Sequence, residues 1–186
     1  MGQQLNFAGI DVARISTITD DKSAIVNALE NLYAETKLVL ITGGLGPTKD
    51  DLTKNTLANY YKMRLSYRPE VYAHIEQLFA SLGRVPAANN KEQAMLPDGC
   101  RVLFNHQGTA PGMLFCQGDK YVFSMPGVPY EMKHLMQTQV LPIVAAEMLR
   151  QHISHKTILT VGVPESELSE RLEDFESTTV ARHVHG

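Results

Sequence analysis

Short apolar runs alternate with amphipathic stretches along most of the chain. Leu38–Thr42 and Tyr121–Met125 are continuous apolar runs of strand length, a pattern typical of strands buried on both faces. Val12–Thr19, Arg101–Phe104 and Met113–Cys116 are further predicted strands. Because strands and helical stretches alternate, we expect an α/β three-layer sandwich, with a mostly parallel sheet covered by helices on both faces.

Helices are predicted wherever apolar residues recur every three or four positions. The first follows Asp20, Asp21 and Ser23, any of which could cap it. A later helix should stop at Gly83, and the last contains Pro142, which should kink or split it. The predicted helices are the stretch carrying Ile25, Leu29, Leu32 and Tyr33, and residues 51–62, 69–82 and 130–150.

The pattern changes near residue 151. A polar stretch there precedes a short apolar run at 158–161 and an amphipathic segment at 166–175, which together are too small for a domain. We therefore expect residues 1–150 to form one domain. Residues 151–186 would hold the start of a small second domain and an unpatterned tail.

Composition narrows the class of partner. Hydrophobic residues make up 44% of the 186 residues, charged residues 20%, and the net charge is −3 with scattered basic residues. These values argue against a nucleic-acid surface, and no apolar run reaches the roughly 20 residues that cross a bilayer. Two cysteines give neither a metal pair nor a disulfide framework. We expect a reduced, cytoplasmic protein with a small-molecule ligand.

A glycine turn follows the strand at 38–42 and carries the clearest chemical signal. Gly43, Gly44 and Gly46 allow positive φ and close approach of a ligand to main-chain N–H groups. The next helix directs its positive N-terminal end at the same place, so phosphate is the natural occupant. The spacing matches neither a Walker loop nor a dinucleotide fingerprint. The alternative is a tight strand-to-helix connection without a ligand.

Asp50 and Asp51 end this turn. One carboxylate suffices to cap a helix, and a second would repel phosphate. The pair would then either supply one cap and one acceptor for a ligand hydroxyl, or hold a divalent ion such as Mg²⁺ that bridges carboxylate and phosphate. Capping alone is an equally open interpretation.

Two more loops are predicted at the same edge of the sheet. "GTAPG" spans 108–112, and "MPGVPYEM" spans 125–132 with Glu131 in the first turn of the following helix. Each alone is typical of an ordinary connection, but two such loops beside the glycine turn predict a pocket. The histidines do not form a metal motif, and we expect most of them to be solvated.

Four motifs in order, "ITGGLGPTKDDLT", "NKEQAMLPDG", "GTAPG" and "MPGVPYEM", resemble the N-terminal domain of the competence/damage-inducible protein CinA. That domain is similar to the molybdopterin-binding fold of MogA and MoaB. The resemblance covers about Leu5 to Phe175 and implies catalytic roles for Asp51 and Asp20, with Asp50 and Asp51 at a metal ion. The substrate-binding residues that it implies are Thr42, Gly43, Gly44, Gly46, Pro47, Thr48, Thr53, Gly108, Thr109, Pro111, Gly112, Pro126, Gly127, Pro129 and Glu131.

The resemblance implies metal-dependent cleavage of ADP-ribose or a similar nucleoside diphosphate sugar. The alternatives are a pterin-binding protein of molybdenum cofactor biosynthesis and a non-catalytic nucleotide-binding remnant. The resemblance to CinA also implies that the fold lacks its first strand and that the small second domain is cut short. It further implies that the C-terminal deamidase domain of that family is missing. Because a lost strand would leave a sheet edge open, we expect a homodimer.

Overall fold

Four strands form the central sheet of the computed structural model, which describes residues 1–48, 50–148 and 167. In the order in which they pair, the strands are β1 (Leu38–Thr42), β6 (Lys120–Met125), β5 (Gly112–Gln117) and β4 (Arg101–Leu103). β1 pairs with β6 in parallel, whereas the other two pairings are antiparallel. The described sheet is therefore mixed, which corrects the expectation of a mostly parallel one. A two-residue turn at Gly118 and Asp119 joins β5 to β6, and so short a connection permits only antiparallel pairing.

A separate two-stranded ribbon packs beside the helices. β2 (Leu65–Tyr67) pairs antiparallel with β3 (Met95–Pro97), and a 3₁₀ helix over Ala88–Ala94 leads into β3. The sequence pattern did not predict these elements. With three residues each, the strands are too short to show a period of two.

The helices agree with most of the predicted segments. They are α1 (Gly2–Phe7), α2 (Lys22–Glu35), α3 (Thr53–Tyr60), α4 (Pro69–Ser81), α5 (Pro129–Leu135) and α6 (Leu141–Glu147). Asp21 is the residue that caps α2, because its carboxylate accepts from the N–H groups of Ser23 and Ala24 at 2.9 and 3.0 Å. Past the end of α4, Gly83 adopts φ +65°, as a helix-stopping glycine does.

Pro142 splits the predicted long helix. A π-helical turn, Met136–Val140, separates α5 from α6, and Pro142 lies in the first turn of α6. A proline there has no N–H to donate to the preceding turn. The missing hydrogen bond explains why the turn just before Pro142 is widened into a π-helical turn. The Thr138 hydroxyl donates to the carbonyl of His134 at 2.8 Å within this segment.

Each face of the sheet carries its own apolar core. Val122 and Phe115 pack on one side among residues of α2, α3 and α4, including Leu29, Leu57 and Ile75. Phe123 and Leu114 pack on the other side with residues of α1, α5 and α6, which include Leu5, Leu135 and Val144. Neighbouring residues of one strand thus pack into the two cores on opposite faces of the sheet. Two helical layers around one sheet confirm the predicted α/β three-layer sandwich.

Val12–Thr19 does not form the predicted strand. Residues 11–20 are exposed and unassigned to any helix or strand up to the bend at Asp20, with Ile15 83% exposed. Within the described part of the chain β1 pairs only with β6, and residues 11–20 form no ladder with any strand. An ion pair from Arg14 to Glu35 of α2, at 2.6 Å, holds it instead.

Several predictions concern parts that the structure does not decide. The segment 151–186 lies outside the described residues except for Glu167, so its assignment to a second domain stays a prediction. The homodimer likewise stays a prediction. None of the described helices is long and apolar enough to cross a membrane.

The exposure of residues 11–20 gives a direct test of the fold. Ile25 of α2 is 5% exposed, so Ile25→Ala should lower the free energy of unfolding by about 2–5 kcal/mol. Ile15→Ala, at an 83% exposed position, should change it by no more than about 0.5 kcal/mol. Urea unfolding measures both. If Ile15→Ala lowers the free energy of unfolding as much as Ile25→Ala does, residues 12–19 form the buried strand that the sequence predicts.

Candidate functional site

The glycine turn is fixed against the loop that follows β6. The N–H of Gly43 donates to the carbonyl of Met125 at 3.0 Å, and the Thr42 hydroxyl donates to the carbonyl of Pro126 at 3.0 Å. A Cβ on Gly127 would lie 3.3 Å from the Cα of Gly43, so the two backbones touch. The predicted meeting of these two loops at the carboxyl ends of β1 and β6 is therefore confirmed.

The fold itself accounts for all three glycines of the turn, through positive φ at Gly43 and Gly44 and through packing at Gly44 and Gly46. Gly43 and Gly44 have φ of +103° and +66°, where side chains are strained. A Cβ on Gly44 would also overlap the buried hydroxyl of Thr53, and one on Gly46 would lie 2.5 Å from Oδ2 of Asp51. Only Gly43 has open space around its Cβ position. The glycines alone therefore do not require a ligand, and a ligand has room to approach at Gly43.

Asp51 closes the turn instead of capping α3. Its Oδ2 accepts from the N–H of Thr48 at 3.0 Å and from the Thr48 hydroxyl at 2.5 Å, while the N–H of Asp51 donates to the Thr48 carbonyl. The N-cap position of α3 is Leu52, which provides no side-chain bond. Helix capping, one of the two roles considered for the aspartates, is thus not the role that Asp51 plays.

The environment keeps the Asp51 carboxylate ionised. Burial raises its pKa, but hydrogen bonds from the Thr48 hydroxyl and amide and from Gly46, together with the charge of Lys54, outweigh burial. The net result is a pKa below the usual value for aspartate. A negative charge therefore stands at the end of the glycine turn at neutral pH.

Asp51 also borders a pocket of about 210 Å³ between the glycine turn and the β2–β3 ribbon. We call it the Lys54 pocket. The turn and α3 contribute Gly46, Pro47, Thr48, Asp51, Lys54 and Asn55, and the opposite wall contributes Leu65, Glu92 and Met95.

Lys54 supplies the positive charge of this pocket. Its ammonium donates to the main-chain carbonyl of Glu92 at 2.8 Å. Burial lowers the pKa of Lys54, and the carboxylates of Glu92 and Asp51 oppose that effect. A cation and two carboxylates thus share one small, partly buried space.

Sequence reasoning missed five residues of the pocket, which are Lys54, Asn55, Leu65, Glu92 and Met95. A signal was present for two of them, because Glu92 and Met95 belong to the motif "NKEQAMLPDG", which supported the resemblance but received no role. Lys54 lies three residues after Asp51, in the first turn of the helix that follows, which is another usable signal.

The "GTAPG" loop packs on α5 and away from the Lys54 pocket lining. Glu131 is buried beneath it and accepts from the Asn105 amide at 2.7 Å, and that amide also donates to the carbonyl of Ala110 at 3.0 Å. A Cβ on Gly108 would overlap the Glu131 carboxyl group, and one on Gly112 would lie 3.1 Å from the carbonyl of Ser124. These contacts give Gly108, Gly112 and Glu131 a structural role, and their predicted part in substrate binding stays a prediction.

The remaining predicted residues lie at various depths. Thr53, Pro111 and Pro126 are buried, and Thr109 is half-buried. Pro129 begins α5 and is exposed. Asp20 is exposed, and no hydrogen bond or ion pair of the described residues connects it to Asp51. Its catalytic assignment stays a prediction.

A divalent ion would have few protein ligands here. The described residues contain no group of three or more His, Cys, Asp or Glu side chains able to hold a metal. Asp50 is exposed and does not line the Lys54 pocket. Mg²⁺ is commonly held by one or two carboxylates together with phosphate oxygens and water. Asp51 therefore suits an ion that arrives with a phosphorylated ligand, whereas none of the described contacts joins Asp50 to the pocket, and a metal at Asp50 and Asp51 stays a prediction.

Comparison with known proteins defines the class of fold. The sequence model of the family described as "Probable molybdopterin binding domain" matches residues 1–146. The crystal structure of molybdenum cofactor biosynthesis protein B superposes with a TM-score of 0.50 at 24% identity and covers 78% of each chain. The sandwich and its glycine turn thus have the molybdopterin-binding fold.

Relatives with higher identity give the family. CinA-like proteins of Flavobacterium psychrophilum and Cytophaga hutchinsonii are 46% and 41% identical over 177 and 174 residues, which are 95% and 94% of this chain. The structure of CinA from Thermoplasma acidophilum, a protein of unknown function, is 32% identical with a TM-score of 0.67 and covers 76% of this chain and 83% of its own. The chain therefore belongs to the CinA-like family of molybdopterin-binding domains. It spans 42% of the length of the two curated relatives.

Substitution of the two left-handed glycines should separate backbone strain from overpacking. Gly43→Ala should cost about 1–2 kcal/mol of folding free energy, because only its φ is unfavourable. Gly44→Ala should cost about 1–3 kcal/mol more, because its methyl group also meets Thr53. Urea unfolding measures both values. Equal losses would mean that Thr53 does not pack against Gly44.

Glu131 should make stability depend on pH. Its burial, partly offset by the Asn105 amide, raises the pKa of the folded carboxyl above the usual 4.5. The folded state then holds a proton that the unfolded chain has lost, so stability falls as pH rises from 4.5 through the folded pKa. The glutamine of Glu131→Gln cannot ionise. The free energy of unfolding of this variant should therefore rise relative to that of the wild type as pH increases across this interval. A constant difference between the two proteins across the interval would contradict the burial of this carboxyl.

Proposed function

We propose that this domain binds a phosphorylated small molecule of the molybdopterin class between the glycine turn and the Lys54 pocket. The observation that carries the proposal is the open space at the Cβ position of Gly43, in the turn that leads from the carboxyl end of β1 to α3, the helix that carries Lys54. The first N–H groups of a helix lack intrahelical partners and attract anions. Membership of a molybdopterin-binding family supports the pterin part of the ligand.

Titration calorimetry would test this proposal directly. The 186-residue chain should bind a pterin carrying a phosphate ester more tightly than the same pterin without phosphate, by about tenfold or more for one charge-assisted hydrogen bond. Gly43→Ala should weaken this binding, because its methyl group fills the open approach. Equal affinity for the two pterins would remove the anion site from the proposal.

Hydrolysis of a nucleoside diphosphate sugar such as ADP-ribose is the second candidate. The adjacent carboxylates favour it, because an ionised Asp51 beside Lys54 can position a diphosphate and its cation. A divalent ion held there would polarise the diphosphate and lower the pKa of bound water. The chain itself would contribute to the phosphate oxygens those N–H groups of the glycine turn that Met125 and Asp51 do not already accept, together with the Lys54 charge and the Asp51 carboxylate as an acceptor.

Asp51→Asn is expected to abolish release of AMP from ADP-ribose in the presence of Mg²⁺. The amide oxygen can still accept from Thr48, so the turn is kept and unfolding free energy should fall by less than about 2 kcal/mol. Chromatography of the products measures AMP, and urea unfolding measures stability.

Asp119→Asn is the matched control, since Asp119 lies in the turn between β5 and β6 and pairs with Lys37 on the surface. It should leave turnover unchanged. If Asp51→Asn and Asp119→Asn release AMP at equal rates, Asp51 has no part in the chemistry. If the wild type releases none with any divalent metal, the hydrolase candidate fails and the binding proposal stands alone.

A further inference from the structure

We propose that His74 and His106 form a binding site for a divalent transition-metal ion of the zinc class, with water as the remaining ligands. The two side chains come from α4 and from the loop between β4 and β5. In the described sheet β4 is the edge strand opposite β1, whereas the glycine turn follows β1 directly. This site is therefore separate from the one described above, and it does not depend on the proposed function.

The spacing of the two imidazole rings fits a shared ion. Their centroids lie 4.8 Å apart, with an angle of 80° between the ring planes. Two imidazoles on one Zn²⁺ ion, at Zn–N distances of about 2.0–2.1 Å and a tetrahedral angle, have centroids roughly 5 Å apart. Because His106 is exposed, its side chain can rotate to direct a nitrogen at the point that His74 reaches, without a change in the backbone.

A hydrogen bond orients the His74 ring as it does in many metal sites. Nε2 of His74 lies 2.9 Å from the main-chain carbonyl of Asn105, and a carbonyl only accepts, so Nε2 carries the proton. In the neutral ring Nδ1 then holds the lone pair that binds a metal ion. A metal-ligating histidine commonly donates its other N–H to a backbone carbonyl, which fixes the tautomer and the orientation of the ring.

A third histidine, His134 of α5, is farther from this pair. Its ring centroid lies 6.4 Å from that of His106. This distance agrees with the lack, among the described residues, of any group of three His, Cys, Asp or Glu side chains able to hold a metal. The site thus has two protein ligands. Imidazole nitrogen favours Zn²⁺, Cu²⁺ or Ni²⁺ over Mg²⁺, which prefers oxygen ligands.

A bound ion would link α4 to the segment that leads into the "GTAPG" loop. His74 and its hydrogen-bond partner Asn105 are 31 positions apart, so the unfolded chain does not hold the two imidazoles together. An ion at this pair therefore binds the folded state in preference to the unfolded one, and it raises the free energy of unfolding.

Urea unfolding of the 186-residue chain, with Zn²⁺, with Mg²⁺ and with a chelator, tests the inference. Zn²⁺ should raise the urea midpoint of the wild type, whereas Mg²⁺ should not. His106→Ala and His74→Ala should lower the affinity for Zn²⁺, read from the dependence of the midpoint on Zn²⁺ concentration, by about tenfold or more. Loss of a ligand costs at least as much as loss of its hydrogen-bond partner, which lowers metal affinity roughly 10- to 100-fold.

His134→Ala is the matched control, because it removes a neighbouring half-buried imidazole that is not a ligand in this proposal. It should keep the wild-type response to Zn²⁺. An equal loss of response in His134→Ala and His106→Ala would overturn the assignment of the pair. A wild-type midpoint that Zn²⁺ does not raise, or that Mg²⁺ raises as much, would overturn the site.

Nuclear magnetic resonance of the wild type gives a readout that does not depend on the folding of any variant. The chain has seven histidines, and the ring resonances of His74 and His106 should shift most when Zn²⁺ is added. The resonances of His134 should change less. If the shifts are confined to the other five histidines, Zn²⁺ binds elsewhere and the inference is wrong.

Discussion

The parallel pairing of β1 with β6 determines where the glycine turn and the first turn of α3 lie. The ladder continues past the ends of both strands, because Gly43 donates to the carbonyl of Met125 and Thr42 to that of Pro126. The glycine turn therefore cannot move without the Pro126–Pro129 loop. Since α3 starts directly from the turn, with the N–H of Thr53 on the carbonyl of Gly44, its first turn and Lys54 are placed by the same ladder.

This arrangement changes the meaning of the glycine-rich sequence. A glycine turn next to a helix suggests a phosphate site, yet Gly44 and Gly46 are needed because Thr53 and Asp51 occupy the space that a side chain would take. Close packing inside the turn and close approach of a ligand leave the same mark on a sequence. The two can be told apart only by the surroundings of each glycine, which leave Gly43 alone with open space at its Cβ position.

The sequence was sufficient for elements whose pattern is local. β1 was predicted with its observed bounds, β6 and α4 to within one residue at each end, and the Pro142 interruption followed from the missing N–H of proline. Val12–Thr19 has a strand-like composition, but strand formation requires a neighbour, which composition does not report. The Lys54 pocket was not predicted for a similar reason, since the contact from Lys54 to Glu92 joins residues 38 positions apart. No spacing rule connects such residues, although Glu92 lay within a motif that the resemblance had singled out.

Asp51 links the stability of the turn to the chemistry of the pocket. Its Oδ2 takes both hydrogen bonds from Thr48, so a ligand hydroxyl or a cation must either use Oδ1 or displace Thr48. If Oδ1 is used, the turn is preorganised and binding requires no rearrangement, which favours affinity. If Thr48 is displaced, the loop must open, and part of the binding energy is spent on that change. Binding at Oδ1 costs less free energy than displacing Thr48, because the hydrogen bonds that lower the pKa of Asp51 also hold its carboxylate in place near Lys54. Among the described residues the Lys54 ammonium makes one hydrogen bond, to the Glu92 carbonyl, so a fixed and ionised carboxylate near it is suited to a ligand that carries both hydroxyl groups and negative charge.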